Sequence, residues 1–215
     1  KRYVTVTQPL RNRLGGIQPD ILVCRCDREI SKSDIRKISV FCNVDEDSVI
    51  QAIDVDTIYA VPKDLKVNGL DVAVLNALGK NTFPKSNLRK WNKVVDRIRK
   101  PTGEVTIGVV GKYLELNDAY KSLFEALTHG GISNNVKVKI KNIDTDKLEK
   151  NKNKTLFNSV SGILVPGGFG KRGSEGKIFA SKYARENKIP FFGICFGMQM
   201  AVVDAARNLL KYKSA

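Results

Sequence analysis

Imidazole is nearly missing from this 215-residue chain, in which His129 is the only histidine. A cysteine or serine nucleophile generally works with a base. Here only one imidazole could serve, and it lies in Ala126-Leu127-Thr128-His129-Gly130-Gly131, which reads as a helix C-terminus before a glycine stop. A capping or solvent-facing histidine is the expectation. Long apolar runs are missing too, which excludes a membrane-spanning helix, and no signal-peptide pattern opens the chain. The four cysteines, at 24, 26, 42 and 195, have neither the number nor the spacing of a disulfide framework, so a reducing, cytoplasmic setting is expected. Cys24-x-Cys26 with the distant Cys42 matches structural zinc spacings poorly. Acidic residues are in deficit, 22 against 37 Lys and Arg, for a net charge of +15. The excess is shared by both halves of the chain. Aromatics are few and do not interleave with a basic stripe, so no nucleic acid is expected as the main ligand. Anionic small-molecule substrates account for the charge as well.

What is present is a sharp motif, Gly193-Ile194-Cys195-Phe196-Gly197-Met198-Gln199. It follows the short apolar run Ile189 to Phe192 and opens a helical pattern through Met200, Val203, Ala206 and Leu210. Strand, tight turn and helix with a thiol at the apex is the geometry of a nucleophile elbow. Glycines at 193 and 197 let the backbone turn and pack closely. A helix beginning just after Cys195 turns its N–H groups and positive dipole end toward the sulfur, which favours the thiolate, and those N–H groups can hold an oxyanion. A buried structural cysteine beside a packing glycine is the alternative.

The rest of the chain reads as α/β. Tyr3 to Thr7 alternates like a strand, and Ile21 to Cys26 is a short apolar strand. Ser31 to Phe41 reads as a helix capped by Ser33. Val49-Ile50 and the run Ile53 to Pro62 follow, then a helical piece from Leu65 to Leu78 that ends at Gly79. A basic helix containing Leu88, Trp91, Val94, Val95 and Ile98 lies between Pro84 and Pro101, as a linker would. Val105 to Tyr113 is a continuous apolar strand of the kind buried on both faces of a parallel sheet. A helix over Asp118–His129, the strand Val136 to Ile140, a polar helix-like stretch to Asn158, the strand Gly162 to Val165 and a helix over Glu175–Asn187 lead to the elbow. Repeated β-α units predict a doubly wound parallel sheet with loops gathered at the strands' carboxyl ends. Pro166-Gly167-Gly168-Phe169-Gly170 sits at such an end. It is either a glycine turn or an oxyanion donor beside Cys195.

Together the two motifs resemble a class I glutamine amidotransferase domain. Gly108 to Tyr113, Leu116 to Ser122, Glu125 to Leu127 and His129 to Gly131 resemble the CTP synthase family in particular, as do Gly16 to Asp20, Phe41 to Val44 and Asp54 to Tyr59. The resemblance runs from about residue 16 to the end. It implies two domains with mainly parallel sheets: residues 1–79 the end of a synthetase domain, 80–103 a linker, and 104–215 the first, incomplete part of a flavodoxin-like amidotransferase domain. It implies ATP-dependent amination of UTP to CTP, with ammonia released from L-glutamine. Cys195 would attack the glutamine amide. Gly168 and Phe196 would supply oxyanion and substrate-binding backbone groups, and Gly197, Met198 and Gln199 would line the glutamine pocket. Lys37 and Gln8 would contact UTP or CTP, and Ile53, Asp54 and Val55 would border ATP. Mg2+ with ATP, a homotetramer, CTP as feedback inhibitor and GTP as activator are implied in the same way.

The departures are specific. The family's Lys-x-Lys-x-x-Gln motif corresponds here to Tyr3-Val4-Thr5-Val6-Thr7-Gln8, which keeps only Gln8. The phosphate loop and magnesium carboxylates are expected before Lys1, and the glutaminase His and Glu after Ala215. By that reading the 215 residues alone neither hydrolyse glutamine efficiently nor make CTP. Another class I amidotransferase, a cysteine hydrolase of the related peptidase or chaperone type, and a non-catalytic assembly or nucleic-acid-binding remnant are the alternatives.

Overall fold

The computed structural model describes residues 18–80, 87–112, 120–168, 170, 172–212 and 214–215. The expected strand at Tyr3 to Thr7, Gln8, the stretch from Phe83 to Ser86, Tyr113 to Ala119 and Phe169 lie outside the described residues. The chain divides into two compact units, Lys1–Asp96 and Arg97–Ala215.

In the first unit, β1 (Leu22–Cys26) and β2 (Val49–Ile53) pair in parallel, with Leu22 opposite Val49 and Cys26 opposite Ile53. The connection between them carries α1 (Lys32–Cys42). Alternation along β1 puts Leu22, Cys24 and Cys26 inward. Leu22 and Cys24 join Ile38 and Cys42 of α1 and Val49 of β2 in one core. Burial pushes the Cys24 thiol up, and the neighbouring Cys26 and Cys42 add to it. These thiols therefore pack as small apolar groups. Ser31, rather than the expected Ser33, caps α1: its hydroxyl accepts from the Asp34 N–H at 3.2 Å. The helix stops at Asn43, whose left-handed backbone (φ 53°) directs its N–H back to Val40 and Ser39.

After β2 the run to Pro62 is not a strand. It turns through a 3-10 segment, Ile58–Ala60, into α2 (Val61–Val67), with Pro62 in the first turn where its missing N–H costs nothing. The single helix expected from Leu65 to Leu78 is broken at Asn68-Gly69. Gly69, at φ 83°, starts α3 (Leu70–Ala77). A single asparagine followed by a glycine in the left-handed region ends one helix and begins the next, which apolar periodicity alone does not reveal. α4 (Arg89–Arg99) follows, and the Trp91 indole N–H donates to the Tyr59 carbonyl at 2.6 Å. The division between the two units falls within α4.

The second unit is a four-stranded parallel sheet in the order β4-β3-β5-β6, with β3 Gly103–Gly111, β4 Val136–Asp144, β5 Gly162–Val165 and β6 Phe191–Gly193. Counted from β3 this is the flavodoxin-like 2-1-3-4 arrangement. The helices between and after the strands are α5 (Lys121–Ser133), α6 (Thr145–Asn151), α7 (Ser174–Glu186) and α8 (Phe196–Asn208). Successive side chains of the central strands serve opposite faces. Val110, Ile163 and Val165 join Ile143, Leu148, Phe157, Ala180 and Ala184 in one core. Val109 and Leu164 pack on the other face with Ile107, Leu123, Phe124, Leu127 and Ile194. Two covered faces explain why these strands read as unbroken apolar runs. Each fully buried valine or leucine contributes about 1.5–3 kcal/mol relative to exposure.

The helix expected to stop at His129 continues through Gly130 and Gly131 to Ser133. Gly131 is there for packing: a Cβ on it would lie 2.7 Å from both the Val136 carbonyl oxygen and Val138 Cγ2. Gly130 has open space around it and no positive φ. The adjacent glycines should therefore respond oppositely. Gly130→Ala is expected to stabilise by about 0.5–1 kcal/mol through helix propensity. Gly131→Ala should destabilise by about 1–3 kcal/mol through overpacking. Paired urea melts read the sign of each.

Candidate active site

The carboxyl ends of β5 and β6 lie side by side, since Val165 is paired with Gly193. What leaves them is the Pro166-Gly167-Gly168 loop from one and Ile194-Cys195 from the other. The Ile194 N–H donates to the Val165 carbonyl at 2.9 Å, carrying the pairing one residue beyond the strand. At Cys195 the backbone then reverses, with φ 51° and ψ −112°. That is a sparsely populated conformation for an L-residue, costing about 1–3 kcal/mol unless its surroundings enforce it.

The surroundings do enforce it. A Cβ on Gly193 would lie 2.6 Å from the Met198 nitrogen, and one on Gly197 would lie 2.1 Å from the Val165 carbonyl oxygen. Bare backbone on both sides lets the first turn of α8 sit directly against the ends of β5 and β6. The Gly197 N–H donates to the Ile194 carbonyl at 2.8 Å and the Gln199 N–H to the Cys195 carbonyl at 3.2 Å. Cys195 is the residue that caps α8, yet its side chain makes no capping hydrogen bond, and it is the exposed member of the four free cysteines. Its sulfur stands at the positive end of a thirteen-residue helix.

The glycine loop reaches the same place. A Cβ on Gly167 would lie 3.6 Å from Cys195 Cβ and 3.9 Å from the Ile194 carbonyl oxygen. Gly168, at φ 120°, occupies backbone space that side chains rarely adopt. Cys195, Gly168, Phe196 and Gly197 are thus brought together by two adjacent strand ends. Met198 and Gln199 follow on the first turn of α8 with exposed side chains.

Sequence reasoning missed Lys177. It lies on α7, its side chain is 2% exposed, and its ammonium donates to the carbonyls of Gly168 at 3.2 Å and Pro166 at 3.4 Å. Lys177 stands between Gly176 and Ile178, on the stretch of α7 that also buries Ala180 and Ser181. α7 and α8 are pinned together behind the site by Asp204. Its buried carboxylate accepts from Arg185 at 3.1 and 3.2 Å and from Asn208 at 2.8 Å. His129 is on α5, its Nε2 3.9 Å from a Glu125 carboxylate oxygen one helical turn away, and its side chain is mostly exposed.

The nucleotide-binding expectations fall in the first unit. Lys37 is on α1, its ammonium 3.2 Å from Asp34 Oδ1. It borders an open depression with Lys32, Ser33, Arg36, Val40, Phe41 and Glu46. Ile53 ends β2, and Val55 follows two residues later. Asp54 accepts from Arg25 Nε at 2.8 Å in a solvent-facing ion pair and is not among the residues around that depression. Among the described residues, no three His, Cys, Asp or Glu side chains gather as a metal cluster.

Comparison with known proteins follows the same division. Residues 5–80 match the family model for the CTP synthase N-terminus, and residues 115–215 match that for glutamine amidotransferase class-I. A CTP synthase of Paramagnetospirillum magneticum is 56% identical over 200 residues, 93% of this chain and 37% of that relative. One of Rhizobium etli is 59% identical over 194 residues, 90% of this chain and 36% of the relative. The chain therefore spans little more than a third of the length of these curated relatives. A solved structure of the glutaminase domain of Trypanosoma brucei CTPS with bound acivicin is 40% identical, covering 51% of this chain and 43% of that one, with a TM-score of 0.47. With an N-terminal match, an amidotransferase match and identity continuing across both, the chain belongs to the CTP synthase family, as a segment that joins part of the N-terminal region to the first part of a class-I glutamine amidotransferase domain.

Proposed function

We propose that a full-length product carrying this chain aminates UTP to CTP at the expense of ATP, using ammonia that Cys195 releases from glutamine. The observation that carries the reading is the strained Cys195 turn against Gly167-Gly168, with no side-chain cap spent on the sulfur. Cys195 Sγ attacks the side-chain carbonyl carbon of glutamine. Negative charge that develops on the carbonyl oxygen is met by backbone N–H groups at Gly168 and Phe196, at the positive end of α8. The C–N bond breaks, ammonia leaves, and water hydrolyses the γ-glutamyl thioester to glutamate. Ammonia then replaces the oxygen at C4 of UTP after ATP has phosphorylated it. Met198 and Gln199 are assigned to the glutamine pocket, Lys37 and Gln8 to UTP or CTP, and Ile53, Asp54 and Val55 to ATP. A lysine such as Lys37 suits a triphosphate as a mobile point charge.

Mg2+ accompanies ATP in this reading. A homotetramer, inhibition by CTP and activation by GTP belong to the same proposal, as does a cytoplasmic location. The sole imidazole of these residues, His129, stands beside Glu125 on α5. The test is CTP formation by the full-length product with ATP, UTP and Mg2+, supplied in parallel with glutamine or ammonia. CTP from both sources supports the scheme. CTP from neither transfers the amidotransferase chemistry to another acceptor.

A further inference from the structure

An ammonium withdrawn from water needs partners, and Lys177 finds them in the loop after β5 and at the start of α8. Its Nζ donates to the carbonyls of Pro166 and Gly168, in the loop that follows β5. The same Nζ lies over the ring of Phe196, 4.9 Å from its centroid, and Phe196 is the residue directly after Cys195, the first of α8. One cation on α7 thus joins the two segments whose spacing defines the site.

We propose that Lys177 is a positioning residue for glutamine hydrolysis, clamping the Pro166-Gly167-Gly168 loop against the Cys195 turn so that the oxyanion donors on the two segments keep their separation. The inference rests on the reading of Cys195 as the glutamine nucleophile. Both Lys177-bonded carbonyls belong to the loop that supplies Gly168. The Pro166 oxygen shares its peptide plane with the Gly167 N–H, and the Gly168 oxygen lies in the plane that follows Gly168, so the two bonds hold the planes on either side of the Gly167–Gly168 peptide, whose N–H is that of Gly168. The compact ammonium suits this task. It can donate to two carbonyls and still face an aromatic ring, which a planar guanidinium does less readily in the same space. Burial pushes the Lys177 ammonium below the ordinary lysine value, and the Lys112 charge adds to that, while Cys195 acts in the opposite direction.

The role is distinguishable from simple packing. In the full-length product, glutamate release is measured for the native enzyme, Lys177→Met and Lys177→Arg. Circular dichroism and the melting midpoint are recorded for each variant, and Lys177→Gln replaces Lys177→Met if the latter does not fold. Loss of donor alignment should appear in kcat, with at least about a tenfold fall and KM for glutamine within about threefold of native. Lys177→Arg, which keeps the charge and N–H donors, should recover part of the loss. An unchanged kcat in Lys177→Met, a loss carried wholly by KM, or an arginine variant no better than methionine would overturn the proposal. Native protein that releases no glutamate would overturn the nucleophile reading itself, which separates the two failures.

Discussion

Cys195→Ala in the full-length product is expected to abolish glutamine-driven CTP formation, by about 10⁴-fold or more, and to leave the ammonia-driven rate within about twofold of native. The asymmetry follows from where the sulfur sits. Cys195 is held at φ 51°, ψ −112° by an unusually close backbone arrangement, and its side chain spends nothing on capping α8. Removing Sγ therefore removes the bond-forming atom with little effect on the turn. The other three cysteines of these residues, Cys24, Cys26 and Cys42, are buried. Ammonia supplied from solution needs no thioester, which is why that arm serves as the control. Equal loss in both arms would show that the substitution damages the enzyme as a whole. No loss in either would exclude Cys195 as the nucleophile.

Gly197→Ala carries the second large effect, this time on the fold. The added methyl would lie 2.1 Å from the Val165 carbonyl oxygen, 2.8 Å from its carbonyl carbon and 3.0 Å from its Cβ. None of these is the far end of a flexible side chain. Val165 is fully buried in the core and its carbonyl already accepts from Ile194. Either the end of β5 or the first turn of α8 must move. Overpacking of this severity should cost about 3 kcal/mol or more, lowering the melting midpoint by about 6 °C or more for a unit of this size. Glutamine-driven activity should be lost well below that midpoint, because the displaced turn carries Cys195. Gly130→Ala, where the same methyl meets open space, is the internal comparison. A Gly197→Ala protein with native stability and activity would mean that the contact between α8 and β5 is looser than described.

How far the sequence reveals this molecule depends on whether the information is local. The β-α alternation of the second unit is legible because Val109-Val110 and Ile163-Leu164-Val165 are buried on both faces and read as apolar runs. The thiol at a strand–helix junction is legible because tight turns need glycine on each side, at 193 and 197. Glycine is also where the reading failed. Gly130-Gly131 looked like a stop and is instead a close contact with β4, while Gly69 looked like helix interior and is a break. The same residue type serves both purposes, and only the neighbours decide. Lys177 was hidden for a related reason. A lysine on a helix is ordinarily solvated, and its partners Pro166, Gly168 and Phe196 are brought to it by two other segments. In the first unit, Lys37 and Asp54 were singled out by resemblance. Each is held in an exposed ion pair, with Asp34 and Arg25 respectively. No local pattern joins them into a site.

A nucleophilic Cys195 forms a covalent bond to the glutamine side chain, and trapping that intermediate measures the bond itself. The full-length product would be mixed with glutamine, quenched in acid within the first turnovers, digested, and its cysteine peptides examined by mass spectrometry. A γ-glutamyl adduct on the peptide that contains Cys195, absent from those containing Cys24, Cys26 and Cys42 and absent in Cys195→Ala, is the predicted result. Glutamate release without any adduct on Cys195, or an adduct on a different cysteine, would contradict the account.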